Sequence, residues 1–95
     1  MKTLKRNSTV TVIGRRWFDR INGNTYHSCT VHVNGDEVGH EPFEYGYGNQ
    51  WEHTGLELLK KAVKIPDDVT ALWKLKEHGI NLVTTCTDVQ RKKDL

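Results

Sequence analysis

The chain has 95 residues, which suffice for one core built from a sheet and one or two helices and are too few for two independent cores. Hydrophobic residues make up 36% and charged residues 27%, which excludes a disordered chain. No apolar run approaches the roughly 18 residues of a membrane span, and no signal-peptide apolar segment follows the basic Met1–Arg6. We therefore expect a single cytoplasmic domain, residues 1–95, with no membrane partner.

Charge is unevenly distributed along the chain, although the net charge is only +2. Met1–Arg20 contains six basic residues and one acidic residue, whereas Asp36–Glu57 contains six acidic residues and neither lysine nor arginine. Such segments are typical of solvated faces and, less often, of interaction surfaces. The small net charge does not by itself indicate a nucleic-acid partner.

The two cysteines, Cys29 and Cys86, lie far apart and form no C-x-x-C pair. This spacing argues against a zinc ribbon and against a thioredoxin-like redox site. In a cytoplasmic protein it favours buried free thiols over a disulfide.

Two segments rich in β-branched and aromatic residues, Thr9–Phe18 and Thr25–Val33, flank the pair Asn22-Gly23. Asn-Gly is typical of a two-residue type I′ turn, so we expect a β-hairpin. A turn centred on that pair gives cross-strand partners with a constant index sum. The expected partners, which form an apolar face, are Phe18 with His27, Arg16 with Cys29, Gly14 with Val31 and Val12 with Val33.

Arg16 fits this apolar face poorly, because a guanidinium opposite Cys29 is not explained by packing. Three alternatives stay open: the side chain extends to solvent from the sheet end, it pairs with an acid, or the register is wrong.

The opposite face of the hairpin is the first functional candidate, because it is unusually rich in aromatic, cationic and hydroxyl groups for a solvated surface. We expect Trp17 to be partly exposed there. The side chains that share this face are Ile13, Arg15, Trp17, Tyr26, Ser28, Thr30 and His32.

A second Asn-Gly pair, Asn34-Gly35, predicts another tight turn, of two or four loop residues, into a third strand, Glu37–Phe43. Val38 then lies on the apolar face. Pro42 lacks an amide donor and should therefore lie at a sheet edge or a bulge, and a bulge would turn Phe43 inward.

A helix is predicted to begin at Asn49, which forms a capping-box pattern with Glu52. Its apolar stripe of Trp51, Gly55, Leu58, Leu59 and Ala62 should pack on the apolar face of the sheet.

Pro66 ends this helix, and Asp67–Gly79 reads as a second, shorter helix with Trp73 in the core. Ile80–Val89 has strand composition. The predicted fold class is α+β, with the element order β-β-β-α-α-β. It has a three-stranded antiparallel meander, two helices packed on one face, and a C-terminal strand whose neighbour in the sheet is left open. Residues 1–8 and 90–95 are expected to be flexible ends.

Four short runs in the first half of the chain form a pattern: Arg15–Arg20 (RRWFDR), Gly23–His27 (GNTYH), Val33–Gly35 (VNG) and Tyr45–Gln50 (YGYGNQ). This pattern resembles one in small proteins encoded by phages and mobile elements. The resemblance implies a provenance and carries no activity with it.

The order of elements from Thr9 to Ala62 is also similar to that of double-stranded RNA-binding domains, where three antiparallel strands lead through a Gly-rich turn into a helix. Two features depart from that family. There is no room for its initial helix, and Asn49–His53 replaces the basic cluster that begins its RNA-binding helix.

Chemical sites are weakly indicated. The Tyr45–Gly48 run before a helix could bind an anion, yet it matches no phosphate-binding motif, and glycines that provide positive φ explain it more simply. His27, Cys29 and His40 could approach one another without any metal-ligand spacing. No nucleophile signature is present. We expect no enzyme activity, no cofactor and no metal.

The leading functional hypothesis is a small non-catalytic phage-type binding protein that contacts a host macromolecule stoichiometrically, such as a component of a defence system. The partner would be a host protein or a protein–nucleic acid complex, and a homodimer is an open alternative. The second hypothesis is nucleic-acid binding through the basic and aromatic sheet face, and the third is anion or metabolite binding at the Tyr-Gly-Tyr-Gly turn. The predicted partner-binding residues are Arg15, Trp17, Arg20, Tyr26, His32, Tyr45 and Tyr47.

Overall fold

Four strands and one α-helix follow the predicted order in a computed structural model, which describes residues 2–95. The architecture is α+β, as predicted, and the sheet is mixed. In chain order the elements are β1 (Thr9–Asp19), β2 (Asn24–Val33), β3 (Asp36–Tyr45), α1 (Gln50–Ala62), a 3-10 helix (Leu72–His78), β4 (Asn81–Val89) and a short 3-10 helix (Lys92–Asp94).

The strand order in the sheet is β3-β2-β1-β4. The first three strands form the predicted antiparallel meander. The C-terminal strand, whose neighbour the sequence left open, lies beside β1 and runs parallel to it. β3 and β4 are therefore the two edge strands.

The register of the first hairpin differs from the predicted one by two residues. Gly14 pairs with Cys29 and Arg16 pairs with His27. The reason is the turn: four loop residues separate Asp19 from Asn24, and the Asp19 carboxylate accepts hydrogen bonds from the amides of Ile21 and Asn22. Because the shift is an even number of residues, each side chain stays on its predicted face.

The second hairpin has the two-residue turn. Asn34 and Gly35 both have positive φ, 51° and 88°, as a type I′ turn requires, and Val33 pairs with Asp36. Val38 lies at a register irregularity and packs against the core, as expected.

α1 covers one face of the sheet through Trp51, Gly55, Leu56 and Leu59, all of which are buried. Leu56 was missed by the predicted stripe, whereas Leu58 is only partly buried. The capping box does not form, because the Asn49 side chain makes no capping hydrogen bond. Close approach requires glycine in β1: a Cβ on Gly14 would lie 2.6 Å from the Trp51 ring.

The predicted second helix is a 3-10 helix that ends at Gly79, whose φ is 75°. Its residues Leu72 and Leu75 are buried, but Trp73 is 57% exposed, so the prediction that Trp73 belongs to the core is wrong. Three residues per turn place positions 72 and 75 above each other and turn position 73 outward.

The two chain ends make defined contacts, while their expected flexibility stays a prediction. Thr3 forms a β-bridge with Lys64, and the Asn7 amide donates to the carbonyl of Gly79. Met1 lies outside the described residues. Across residues 2–95 no helix combines the length and the apolar character needed to cross a bilayer.

Candidate interaction surface

One face of the sheet is not covered by α1 or by the 3-10 helix Leu72–His78, and we call it the open face. Cross-strand partners point to the same side of a sheet, so the pairing of Trp17 with Tyr26, and of Tyr26 with Tyr45, places these three side chains together. β4 adds Val89 beside Trp17. Trp17 is half-buried, in agreement with the expectation of partial exposure.

Four aromatic rings form a row across three strands of the open face, and we call them the aromatic cluster: Trp17, Tyr26, Phe43 and Tyr45. Tyr26 is central. Its ring stacks on Trp17, with centroids 5.9 Å apart, and on Phe43, with centroids 4.6 Å apart. Tyr45 meets Tyr26 edge to face at 5.7 Å. Aromatic pairs of this geometry contribute about 0.5–1.5 kcal/mol each beyond the area they bury.

Phe43 joins this cluster instead of turning inward, which corrects the prediction. The expected irregularity is present, between the His27 and Cys29 pairings, and Pro42 lies there in the edge strand. Together with the irregularity between the Val31 and His32 pairings, it shifts β3 by two residues, which restores the alternation that a single bulge would reverse. Glu44 consequently lies opposite His27, and Phe43 stacks on Tyr26 on the open face.

More exposed hydrophobic side chains surround the cluster at the end of the sheet that carries the first hairpin loop, which we call the hairpin end (residues 17–26, 43–48 and 89). Ile21 is 93% exposed, Tyr47 is 74% exposed and Phe18 is 53% exposed. The sequence placed Phe18 on the apolar face, but α1 covers that face only as far as the Arg16–His27 pair, where Thr54 contacts His27. Of the seven exposed large hydrophobic residues in the described chain, five lie at this end.

Cations and the C-terminal segment border the aromatic cluster. The Lys92 ammonium lies 4.7 Å from the centroid of the Phe43 ring, and an Arg15 guanidinium nitrogen donates to the carbonyl of Asp94 at 3.4 Å. Because β4 and β3 are opposite edges, residues 90–95 must cross the open face to make both contacts. No sequence pattern indicates this crossing.

Two of the three alternatives left open for Arg16 hold: its side chain pairs with an acid, and the predicted register was wrong, since Arg16 lies opposite His27 and not opposite Cys29. Its Nε donates to Asp88 Oδ1 at 2.8 Å, and its Nη1 donates to the carbonyl of Gly48 at 2.9 Å. These contacts join β1, β4 and the turn before α1. Arg16 and Asp88 also line a cleft of about 400 Å³, together with Phe18 and Arg20.

The predicted site residues divide into two groups. Arg15, Trp17, Arg20, Tyr26, Tyr45 and Tyr47 all lie at or beside the hairpin end. His32 lies apart, since it follows Tyr26 by six residues, or roughly 20 Å along β2. It pairs with Glu37 instead of facing the cluster.

Backbone groups of the Tyr-Gly-Tyr-Gly turn form hydrogen bonds within the protein. The Gly46 amide donates a hydrogen bond to the carbonyl of Thr25, and the Gly48 carbonyl accepts one from Arg16. Both glycines have positive φ, 154° and 62°, in agreement with the conformational explanation of the motif.

The histidines and cysteines do not converge on a ligand position. His27 is fully buried: its Nδ1 donates to the Gly46 carbonyl, and its Nε2 lies 2.7 Å from Thr54 Oγ1. His40 bonds to Thr30 on the other face. Within residues 2–95, no three His, Cys, Asp or Glu side chains are grouped to hold a metal ion.

Both thiols are free. Cys29 and Cys86 flank Gly14 from β2 and β4, so two strand spacings, roughly 9–10 Å, separate them, more than the about 7 Å that a disulfide can span. Burial raises the pKa of Cys29 to about 12. Burial also raises the pKa of Cys86, against a smaller opposing effect of the Arg16 charge. Neither thiol is therefore activated as a nucleophile.

Comparisons with family models, with curated proteins and with solved structures find no match to this chain. Its function must therefore be argued from the site. Four residues of the site were not predicted as partner-binding: Phe18, Ile21, Phe43 and Lys92. For Phe18 and Ile21 the signal was their position at the hairpin tip, beyond the reach of the helix.

Proposed function

We propose that this chain is a small non-catalytic binding protein that contacts a partner protein through its hairpin end. The observation that carries the proposal is the concentration of exposed Phe18, Ile21, Tyr45 and Tyr47 at one end of the molecule. Large contiguous apolar patches on small proteins mark interaction sites, and aromatic residues are enriched in interfaces. The stacked aromatic cluster supplies a rigid base for such contacts.

The contacts of the basic and aromatic side chains favour a protein over a nucleic acid. Arg16 is neutralised by Asp88, and one guanidinium nitrogen of Arg15 is occupied by the backbone carbonyl of Asp94. The Tyr26 ring is stacked on two other rings, so its faces are occupied and offer little platform for a base. An aromatic patch edged by single arginines is typical of a protein interface.

The resemblance to small phage and mobile-element proteins supports a class of partner, a host macromolecule, and does not identify it. We place the chain in the cytoplasm of a host cell, where it binds a host protein stoichiometrically and so inhibits it, for example a component of a defence system.

The test is a quantitative pulldown from host lysate with three immobilised baits at equal concentration. Wild type should retain a host protein. The double variant Tyr45→Ser with Tyr47→Ser should retain at least about tenfold less, since interface aromatics carry much of the binding energy. The matched control Trp73→Ser removes another exposed aromatic outside the hairpin end and should bind as wild type does. Equal retention by all three baits, or no retained protein, would refute the proposal.

Nucleic-acid binding is the second candidate, and one observation favours it: the Arg15 side chain is exposed beside Trp17, with Lys92 near Phe43. Cations beside rings can hold phosphate while bases stack. The test is fluorescence anisotropy with labelled single- and double-stranded oligonucleotides over a salt series. If the chain binds nucleic acid, its affinity for the oligonucleotides falls steeply as the salt concentration rises. The double variant Arg15→Ala with Arg20→Ala lowers that affinity further. Binding that does not depend on salt excludes this function.

A further inference from the structure

The two edges of the sheet differ in how they guard against pairing with another strand. β3 carries Pro42, four acidic residues and two register irregularities. Proline, charge and bulges are the devices that natural proteins use to protect a sheet edge. The edge of β3 is therefore protected.

β4 has none of these devices along most of its length. Its nine residues pair with β1 in an unbroken parallel register, contain no proline and include one charged residue, Asp88. Within the described chain, residues 82–89 make no backbone hydrogen bond beyond the ladder with β1. The outward amides and carbonyls of a long, regular, β-branched strand are thus available to another strand.

We propose that the outer edge of β4 pairs antiparallel with β4 of a second copy of this chain, which joins two four-stranded sheets into one continuous sheet. The fullest overlap of Asn81–Val89 with itself places the two-fold axis at Thr85. Facing residues then share a face. The resulting pairs are Leu82 with Asp88, Val83 with Thr87, Thr84 with Cys86, and Thr85 with its own copy.

Charge complementarity identifies the second copy as the occupant. Lys76 and Leu82 line the same cleft of about 370 Å³ on the helix-covered side. In the proposed register, Leu82 faces Asp88 of the second copy, whose side chain is 73% exposed. Lys76 of each copy is then within reach of Asp88 of the other, and the two-fold axis forms this contact twice. No like charges face each other along the strand.

Trp73 adds an apolar contact beside the seam, the line along which the two β4 strands would pair. It lines the same cleft and is 57% exposed although it adjoins the core. A second copy along β4 would cover part of its ring. Because the two-fold axis is perpendicular to the sheet, the two hairpin ends would lie at opposite ends of the seam, and both open faces would point to the same side. The interface is thus separate from the site proposed above.

The experiment is sedimentation velocity on the full chain over a concentration series up to about 100 μM, where a micromolar dissociation constant gives mainly dimer. Wild type should reach twice the 11.0 kDa mass of the chain. Thr85→Lys places two lysines across the axis and should raise the dissociation constant at least about tenfold. The control His40→Lys adds the same charge at the middle of the β3 edge and should leave the dissociation constant unchanged.

Charge reversal distinguishes this interface from any other. Lys76→Glu should weaken the dimer, whereas the control Lys61→Glu, the same reversal at an exposed position of α1, should leave it unchanged. Thermal unfolding of each monomer checks that the variants fold. A wild type that stays monomeric at the highest concentration overturns the proposal, and so does a dimer that is insensitive to Thr85→Lys or is weakened equally by Lys76→Glu and Lys61→Glu.

Discussion

The two faces of the sheet are made by alternate residues of the same strands, yet they are built for different purposes. On the helix-covered face Val10, Val12 and Val31 are fully buried, and Gly14 leaves room for Trp51. On the open face the rings of the aromatic cluster pack on one another and remain partly in contact with water. Burial on one face therefore stabilises the fold, while the other face keeps large apolar groups available.

The largest expected effect separates core from surface on the helix itself. Leu59→Ala should lower the free energy of unfolding by about 2–5 kcal/mol, because Leu59 is fully buried between α1 and the sheet. Leu58→Ala is the matched control: this leucine is only partly buried, against Gly39, and should cost less. Urea denaturation of the two variants measures the difference, and a larger loss at Leu58 would contradict the observed packing.

Trp17→Ala should lower the free energy of unfolding by about 1–2 kcal/mol, clearly less than Leu59→Ala. The Trp17 ring is only half-buried and stacks on one other ring, Tyr26. The same variant should impair partner binding more than it impairs folding. Denaturant unfolding and the pulldown are the two measurements. A loss of stability equal to that of Leu59→Ala would mean that the open face belongs to the core.

A smaller effect is expected where the C-terminal segment crosses the open face. Lys92 and Phe43 should show a coupling free energy of about 0.5–1 kcal/mol in a double-mutant cycle of Lys92→Ala and Phe43→Ala. If the losses of unfolding free energy in the two single variants simply add up in the double variant, residues 90–95 do not pack on the aromatic cluster in solution. The Lys93→Ala variant, one residue away, serves as the uncoupled control.

The last effect concerns the thiols of the helix-covered face and is absent at neutral pH. Because burial raises the pKa of Cys29 to about 12, the folded state keeps a proton that the unfolded chain loses above its ordinary value of 9.0. Cys29 should therefore not affect stability below pH 9 and should lower it as the pH rises further. Reaction with a thiol reagent at pH 8 should modify the half-buried Cys86 first; faster modification of Cys29 would contradict its burial.

Much of the fold could be predicted from local signals. Strand composition and the two Asn-Gly pairs located three strands and both turns, and alternation assigned the faces. The register was off by two residues because Asp19, through its side-chain acceptor, extends the first loop to four residues. An even shift preserves the faces, so the open face was still identified correctly.

What could not be predicted depends on tertiary geometry. The helical spacing of Trp73 suggested burial, but a 3-10 helix has a different period. A single bulge at Pro42 was expected to turn Phe43 inward, but a second irregularity at Val38 restores the alternation and leaves Phe43 on the open face. The parallel position of β4 beside β1, which makes β4 an edge, has no local signal. For the site, the sequence predicted the cluster residues Trp17 on β1 and Tyr26 on β2. The position of Lys92 could not be predicted, because it depends on the path of the C-terminal segment across the sheet.

The most direct test of the hairpin end as the binding site is photocrosslinking at two exposed positions. A benzophenone amino acid replaces Tyr47 in one preparation and Trp73 in another, and both are irradiated in host lysate. We expect a covalent adduct of defined mass from position 47 and no host-protein adduct from position 73. An adduct from position 73 alone, or from neither position, would contradict the assignment of partner binding to the hairpin end.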